Sequence, residues 1–150
     1  MNIGFDLDGV LCELDIPVMH LFNLLDSVGE RDAEKYYYNS RRVILNPEDF
    51  LHRGDKYYIL TARHIGLYNI TKAWCDKYCP NCAGLYVVGE RPWYETGESH
   101  SEYSERAVVE KAKIIKELDI RIHFEDSPRA IAQLRELLPD VVIVQYAGRL

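Results

Sequence analysis

Five short apolar runs recur along the chain: "NIGFDL" (2–7), "KYYILTAR" (56–63), "GLYVVG" (84–89), "IRIHFED" (120–126) and "DVVIVQYA" (140–147). Most of them do not alternate strictly between apolar and polar residues, as a strand wet on one face would. The set therefore reads as strands covered on both faces. Segments with helical spacing lie between them. Over 66–78, Leu67, Ile70, Trp74 and Tyr78 share one helical face, and a second helix is expected over 105–118. "SPRAIAQLRELL" opens a third, with Ser127 as N-cap and Pro128 at its first position. This alternation predicts an α/β fold, a parallel sheet with helices on both faces. The length of 150 residues fits one domain, 1–150. Residues 12–52 interrupt the alternation and read as a small helical cap inserted after the first strand, with helices over 16–29 and 32–42. The polar stretch 90–104 reads as a loop.

In such sheets ligands bind beyond the carboxyl ends of the strands, so the polar residues placed there matter most. They are Asp6 and Asp8, Thr61 and Arg63, and Glu125 and Asp126. Acids often end strands, and "DLDG" alone would pass for a turn. The order and spacing of all three groups point instead to a shared site. Four carboxylates near one point repel each other, which raises their pKa values and costs stability. A hard divalent cation relieves the repulsion, and Mg²⁺ suits a few carboxylates plus phosphate oxygens. Residues 6 and 8 of an extended strand lie roughly 6.6 Å apart. A turn at Gly9 would let one carboxylate ligate and attack, while the other offered its backbone carbonyl and kept its side chain for proton transfer.

A lysine completes the set. At about 100° per residue, Ala107, Val108, Ala112, Ile114, Ile115 and Leu118 span one arc of about 160°. Lys111 falls inside that arc, Lys113 opposite it and Lys116 at its edge. Either the Lys111 stem covers the core while its amine reaches water, or the amine turns inward. An inward amine would keep the carboxylates ionised and neutralise phosphate charge, a better use of the position.

"FDLDGV", "ILTAR", a lysine 14 residues before "EDSP" and the acidic pair itself resemble the four motifs of the haloacid dehalogenase (HAD) superfamily. With "KAKIIKELDI", the set looks most like the compact 5′(3′)-deoxyribonucleotidase-like branch. The resemblance implies a HAD-like, Rossmann-like sheet and a Mg²⁺-dependent phosphomonoester hydrolase acting through an aspartyl-phosphate, on a nucleoside 5′-monophosphate. It implies Asp6 as nucleophile, Asp8 as acid and base, Thr61 on a phosphoryl oxygen, and Lys111 between phosphate and Asp6. Ala62, Arg63, Tyr37 and Arg41 would face the substrate. Asp6, Asp8 and Asp126 would hold the metal, with Glu125 ligating directly or through water. Members that cleave carbon–halogen bonds lack the second acid, so Asp8 disfavours dehalogenation. The pair "ED" stands where close relatives have "DD", which lengthens one arm.

Two further readings of function stay open: a phosphatase of another small metabolite or a polynucleotide end, and a noncatalytic phosphate- or protein-binding module. The formal charge of −6, with 24 acidic against 18 basic residues, disfavours long nucleic acid and acidic membrane as partners. A small phosphorylated metabolite remains compatible, because a bound cation reverses the local field. No apolar run approaches the roughly 18 residues of a membrane span, and "MNIGFDLDG" lacks a leader, so a cytoplasmic protein is expected.

The aromatic run "YYY" at 36–38 would either stack on a nucleobase or seat the cap on the core. Trp93, Tyr94 and His100 would reach the pocket mouth or serve as local anchors. "CDKYCPNC" supplies Cys75, Cys79 and Cys82, and Cys12 stands alone. Ordinary thiols around a helix end are the simpler reading, with a zinc knuckle as the alternative. His123 reads as strand packing or an edge, and His64, which follows "TAR", as a solvated loop residue or one approaching phosphate.

Overall fold

A computed structural model describes residues 1–13, 38 and 41–146. The expected helix over 16–29, most of that over 32–42, and Tyr37 lie outside the described residues. Five parallel strands form one sheet in the order β3-β2-β1-β4-β5. They are β1 (Asn2–Phe5), β2 (Lys56–His64), β3 (Gly84–Gly89), β4 (Ile120–Glu125) and β5 (Val142–Gln145). Three described α-helices connect them: α1 (Tyr68–Tyr78), α2 (His100–Glu117) and α3 (Pro128–Leu137). The α/β class and the parallel sheet expected from the sequence are what the chain forms.

The strand residues divide between two cores. Ile3, Phe5, Tyr57 and Ile59 meet Trp74, Cys75 and Cys79 from α1 and its end. Leu60, Ile120 and Ile143 meet Val108, Ala112 and Ile115 of α2 and Ala130, Ile131 and Leu134 of α3 on the other side. Helices thus cover both faces, which explains why the strands read as continuous apolar runs. Phe5 stacks on Phe124 of the neighbouring strand, ring centroids 4.7 Å apart.

Several boundaries differ from the sequence expectation. The helix expected over 105–118 begins at His100, inside the stretch read as loop. Its start is a capping box: the Ser99 side chain accepts from the Glu102 N–H, and the Glu102 carboxylate accepts from the Ser99 N–H. Polar composition concealed a first turn in which His100 and Glu102 face water. Trp93–Glu95 makes a short 3₁₀ turn rather than irregular loop, and Pro47–Phe50 makes another. The first strand ends at Phe5 instead of Leu7, so Asp6 opens the turn that follows.

That turn is tight. The Leu11 and Cys12 N–H groups both donate to the Leu7 carbonyl, at 2.9 and 3.0 Å. Leu7, Val10 and Leu11 are fully buried. Cys12 then bridges antiparallel to Val43, and Ile44 N–H donates to Leu11 O at 2.9 Å. The two ends of the interrupting segment are therefore tied together at the sheet's carboxyl edge.

Candidate active site

Register brings the site together. Phe5 pairs with Ile59 on one side and with Phe124 on the other. The residues just beyond, Asp6, Leu60–Thr61 and Glu125–Asp126, consequently sit at one level across the three central strands. The Asp6 N–H donates to Phe124 O at 2.9 Å, which fixes the nucleophile candidate to β4.

Lys111 reaches this point from α2. Its Nζ donates to Asp6 Oδ1 at 2.7 Å and to Glu125 Oε2 at 3.0 Å, and the residue is 4 % exposed. The inward direction expected from its helical position is the one found. Burial alone would lower the ammonium's pKa, but the carboxylates of Asp6 and Glu125 raise it well above the ordinary lysine value.

Asp6, Glu125 and Asp126 bring one carboxylate oxygen each to within 4.8 Å of one another. One ammonium faces these three acids. Burial, then the charge of Glu125, pushes the Asp6 carboxyl well above the usual range, although Lys111 pulls against both. Burial and Glu125 likewise push Asp126 up to about 7. Burial would raise Glu125 also, but Lys111 and His123 hold it below its ordinary value. Three carboxylates and one ammonium leave the cluster short by two positive charges, the charge of a divalent cation. Oxygen-only donors suit a hard ion such as Mg²⁺, so the residues fit the group that the sequence implied.

Glu125 is less available than the other two. Its Oε2 accepts from Lys111, and its Oε1 accepts from the Asp126 N–H at 3.2 Å. His123, fully buried, lies with Nε2 3.7 Å from Glu125 Oε2.

Gly9 completes the wall. Its φ is +87°, a left-handed conformation that disfavours side chains, and a Cβ there would stand far closer than 3.0 Å to the Asp126 carboxylate. The second glycine with a steric reason is Gly4, opposite His123 in register, where a Cβ would meet His123 Nδ1 at 2.6 Å.

Asp8 departs from the expectation of a side chain left free for proton transfer, and its carboxylate stands outside the metal-ligating group. Both of its oxygens are taken by Arg63: Nε donates to Oδ2 at 2.8 Å and Nη2 to Oδ1 at 2.6 Å. Despite the upward push of burial, the guanidinium holds the Asp8 carboxyl below its ordinary value. Arg63 is correspondingly not the free substrate contact expected of it. It is 5 % exposed, its Nη1 donates to Thr71 Oγ1 at 3.1 Å, and the Tyr38 ring lies 4.5 Å from its guanidinium carbon. A bidentate, charge-assisted pair of this kind holds the guanidinium toward Asp8. Arg41 is buried too, with Nη1 donating to Glu13 O at 2.6 Å, so it also is no exposed substrate arm.

Thr61 is 1 % exposed, and its Oγ1 accepts from the Arg63 N–H at 3.2 Å, leaving its own O–H to donate. The Ala62 carbonyl accepts from Tyr103 Oη at 3.0 Å. Tyr94 and His100 are exposed. Tyr38 and Thr71 were not singled out in the sequence; the "YYY" run pointed to the neighbourhood but could not say which ring comes inward.

The cysteines form no metal-ligating group of three among the described residues. Cys75 and Cys79 lie in the core beneath α1, where burial raises both thiols to about 12. Cys82 Sγ lies 3.0 Å from Gly84 O. Cys12 Sγ lies 3.4 Å from Asp8 Oδ1.

No family model matches the chain, and no curated protein matches it. Solved structures do. A HAD-superfamily hydrolase, subfamily IA, from Geobacter sulfurreducens superposes with a TM-score of 0.52 at 12 % identity, over 99 % of this chain and 88 % of that one. The chain shares the fold of that structure. The HAD domain of an effector protein from Legionella pneumophila gives TM-scores of 0.49 for an inactive mutant and 0.47 for a second structure, at 12 % and 13 % identity. Those two cover 98 % and 99 % of this chain and 85 % and 88 % of theirs. Among the described residues, no helix is long and apolar enough to cross a membrane.

Proposed function

We propose that the chain is a Mg²⁺-dependent phosphomonoester hydrolase working through an aspartyl-phosphate on Asp6. The observation that carries the reading is the buried Lys111 ammonium bridging Asp6 and Glu125 beside Asp126. A fully buried amine among three acids is costly to assemble, and a site for a trianionic transition state uses all of it. Asp6 and Asp126 would hold the ion, with Glu125 orienting Lys111 and ligating directly or through water. The cation, when bound, offsets charge on the phosphoryl oxygens and balances the acids.

Asp6 Oδ would attack phosphorus while the P–O bond to the leaving group breaks. Lys111 would hold Asp6 ionised and meet an equatorial oxygen, and the Thr61 hydroxyl would donate to another. Asp8, ionised by Arg63 in the free protein, would take up a proton beside the bound substrate's negative charge, give it to the departing alkoxide and take one from the water that then hydrolyses the aspartyl-phosphate. Phosphate monoesters are among the slowest compounds to hydrolyse unaided, so such charge stabilisation is where a protein gains most.

The favoured substrate is a nucleoside 5′-monophosphate. Support comes from the aromatic run at 36–38 and the motif resemblance to compact nucleotidases. Nothing in the net charge of −6 favours a polynucleotide. A screen of nucleoside monophosphates and sugar phosphates, with and without Mg²⁺, tests both levels. Turnover of nucleotides that needs Mg²⁺ and disappears in Asp6→Asn is the expected result. Turnover confined to sugar phosphates would reject the substrate, and full activity of Asp6→Asn would reject the nucleophile.

A further inference from the structure

Arg63 follows Thr61 by two residues on β2, and its side chain leaves the cation cluster for Asp8. Three of its donors are committed within the protein: Nε and Nη2 to the two Asp8 oxygens, and Nη1 to Thr71 on α1. Its side chain is 2 % exposed, against 19 % for Asp8. The guanidinium is thus sealed while the carboxylate it grips keeps some exposure. Paired N–H···O bonds of this kind fix the plane of a carboxylate, which a single ammonium contact does not. Thr71, itself fully buried, fixes the guanidinium in turn.

We propose that Arg63, braced by Thr71, is the positioning residue for Asp8, setting the carboxylate where it meets the leaving-group oxygen, and is not a substrate ligand. The inference rests on the phosphatase reading above. In that reaction the ester P–O bond breaks as the Asp6 O–P bond forms. The electron pair leaves with the ester oxygen, which takes a proton relayed by Asp8; the carboxylate acquires that proton only beside the bound substrate, since the guanidinium at its two oxygens favours the ionised form. A leaving group that is stable as an anion, such as p-nitrophenolate, needs little of that proton; an alkoxide needs it fully.

The readout is kcat/KM, which covers the steps through leaving-group departure, for p-nitrophenyl phosphate and for a simple alkyl phosphate with Mg²⁺ present. In Arg63→Lys, which keeps the charge but not the fork, kcat/KM for the alkyl ester should fall about 100-fold, the scale of one acid–base contribution. The loss for p-nitrophenyl phosphate should be at least tenfold smaller. Millimolar guanidinium should restore the alkyl ester preferentially in Arg63→Ala. Thr71→Val, which removes one bond and keeps the shape, should show the same ordering at a few-fold scale and serves if the Arg63 variants do not fold. Equal losses on both esters, in an active wild type, overturn the positioning role alone. A wild type that hydrolyses neither ester overturns the phosphatase reading, and this inference falls with it.

Discussion

Replacing Lys111 by methionine keeps the length of the side chain and deletes its charge. Two ion pairs vanish, at 2.7 and 3.0 Å. Each is worth about 6 kcal/mol at an effective dielectric near 20, and much of that returns because the amine no longer leaves water. Removing one partner of a buried pair costs about 3–5 kcal/mol net, since the other charge stays uncompensated. With a urea slope of about 2 kcal/mol per molar, the unfolding midpoint should drop by about 1.5–2.5 M. Without the amine, Asp6, Glu125 and Asp126 all stand above their unfolded pKa values, so the folded state binds protons that the unfolded state has lost. Stability of the variant should then fall as pH rises from 5 to 8. Urea titrations at both pH values, followed by circular dichroism, measure both quantities. A loss under about 1 kcal/mol at pH 8 would refute the idea that this amine closes the cluster.

Asp126→Asn should stabilise the protein in chelator, because it relieves the burial of a charge and the repulsion by Glu125 that together push Asp126 up to about 7, and should abolish any rise in Tm on adding Mg²⁺; thermal melts with and without the ion decide both. In the wild type, Mg²⁺ affinity by calorimetry should increase as pH rises through about 7, where Asp126 gives up its proton. Gly9→Ala should cost about 1–3 kcal/mol from its φ of +87°, read by urea unfolding, and should weaken Mg²⁺ binding because its methyl group meets the Asp126 carboxylate. Ser99→Ala should cost about 1 kcal/mol by the same assay, the usual loss of an N-cap.

The sheet was legible because burial on both faces leaves a mark that survives in one sequence: runs such as "KYYILTAR" with no polar alternation. Lys111 was legible for a related reason, since a charge inside an apolar arc has few places to go. Arg63 was not. Position along the chain put it beyond a strand end, where it could serve a ligand as well as Asp8, and only the pairing of side chains separates those cases. The start of α2 was hidden because its first turn is solvated and its capping box lies in polar sequence. Strand β1 ended early because Leu7 is buried by the turn that follows it, so apolar character ran on past the ladder.

The bond between Lys111 and Asp6 joins residues 105 positions apart. During synthesis the N-terminal acids emerge first and must wait for α2 and β4. Until then β1 lacks its neighbour on one side, and Asp6 lacks both its amine and its acidic companions. The acidic cluster is thus the product of late, long-range docking. A chain stalled before α2 carries Asp6, Asp8 and Arg63 but neither the amine nor the two later acids.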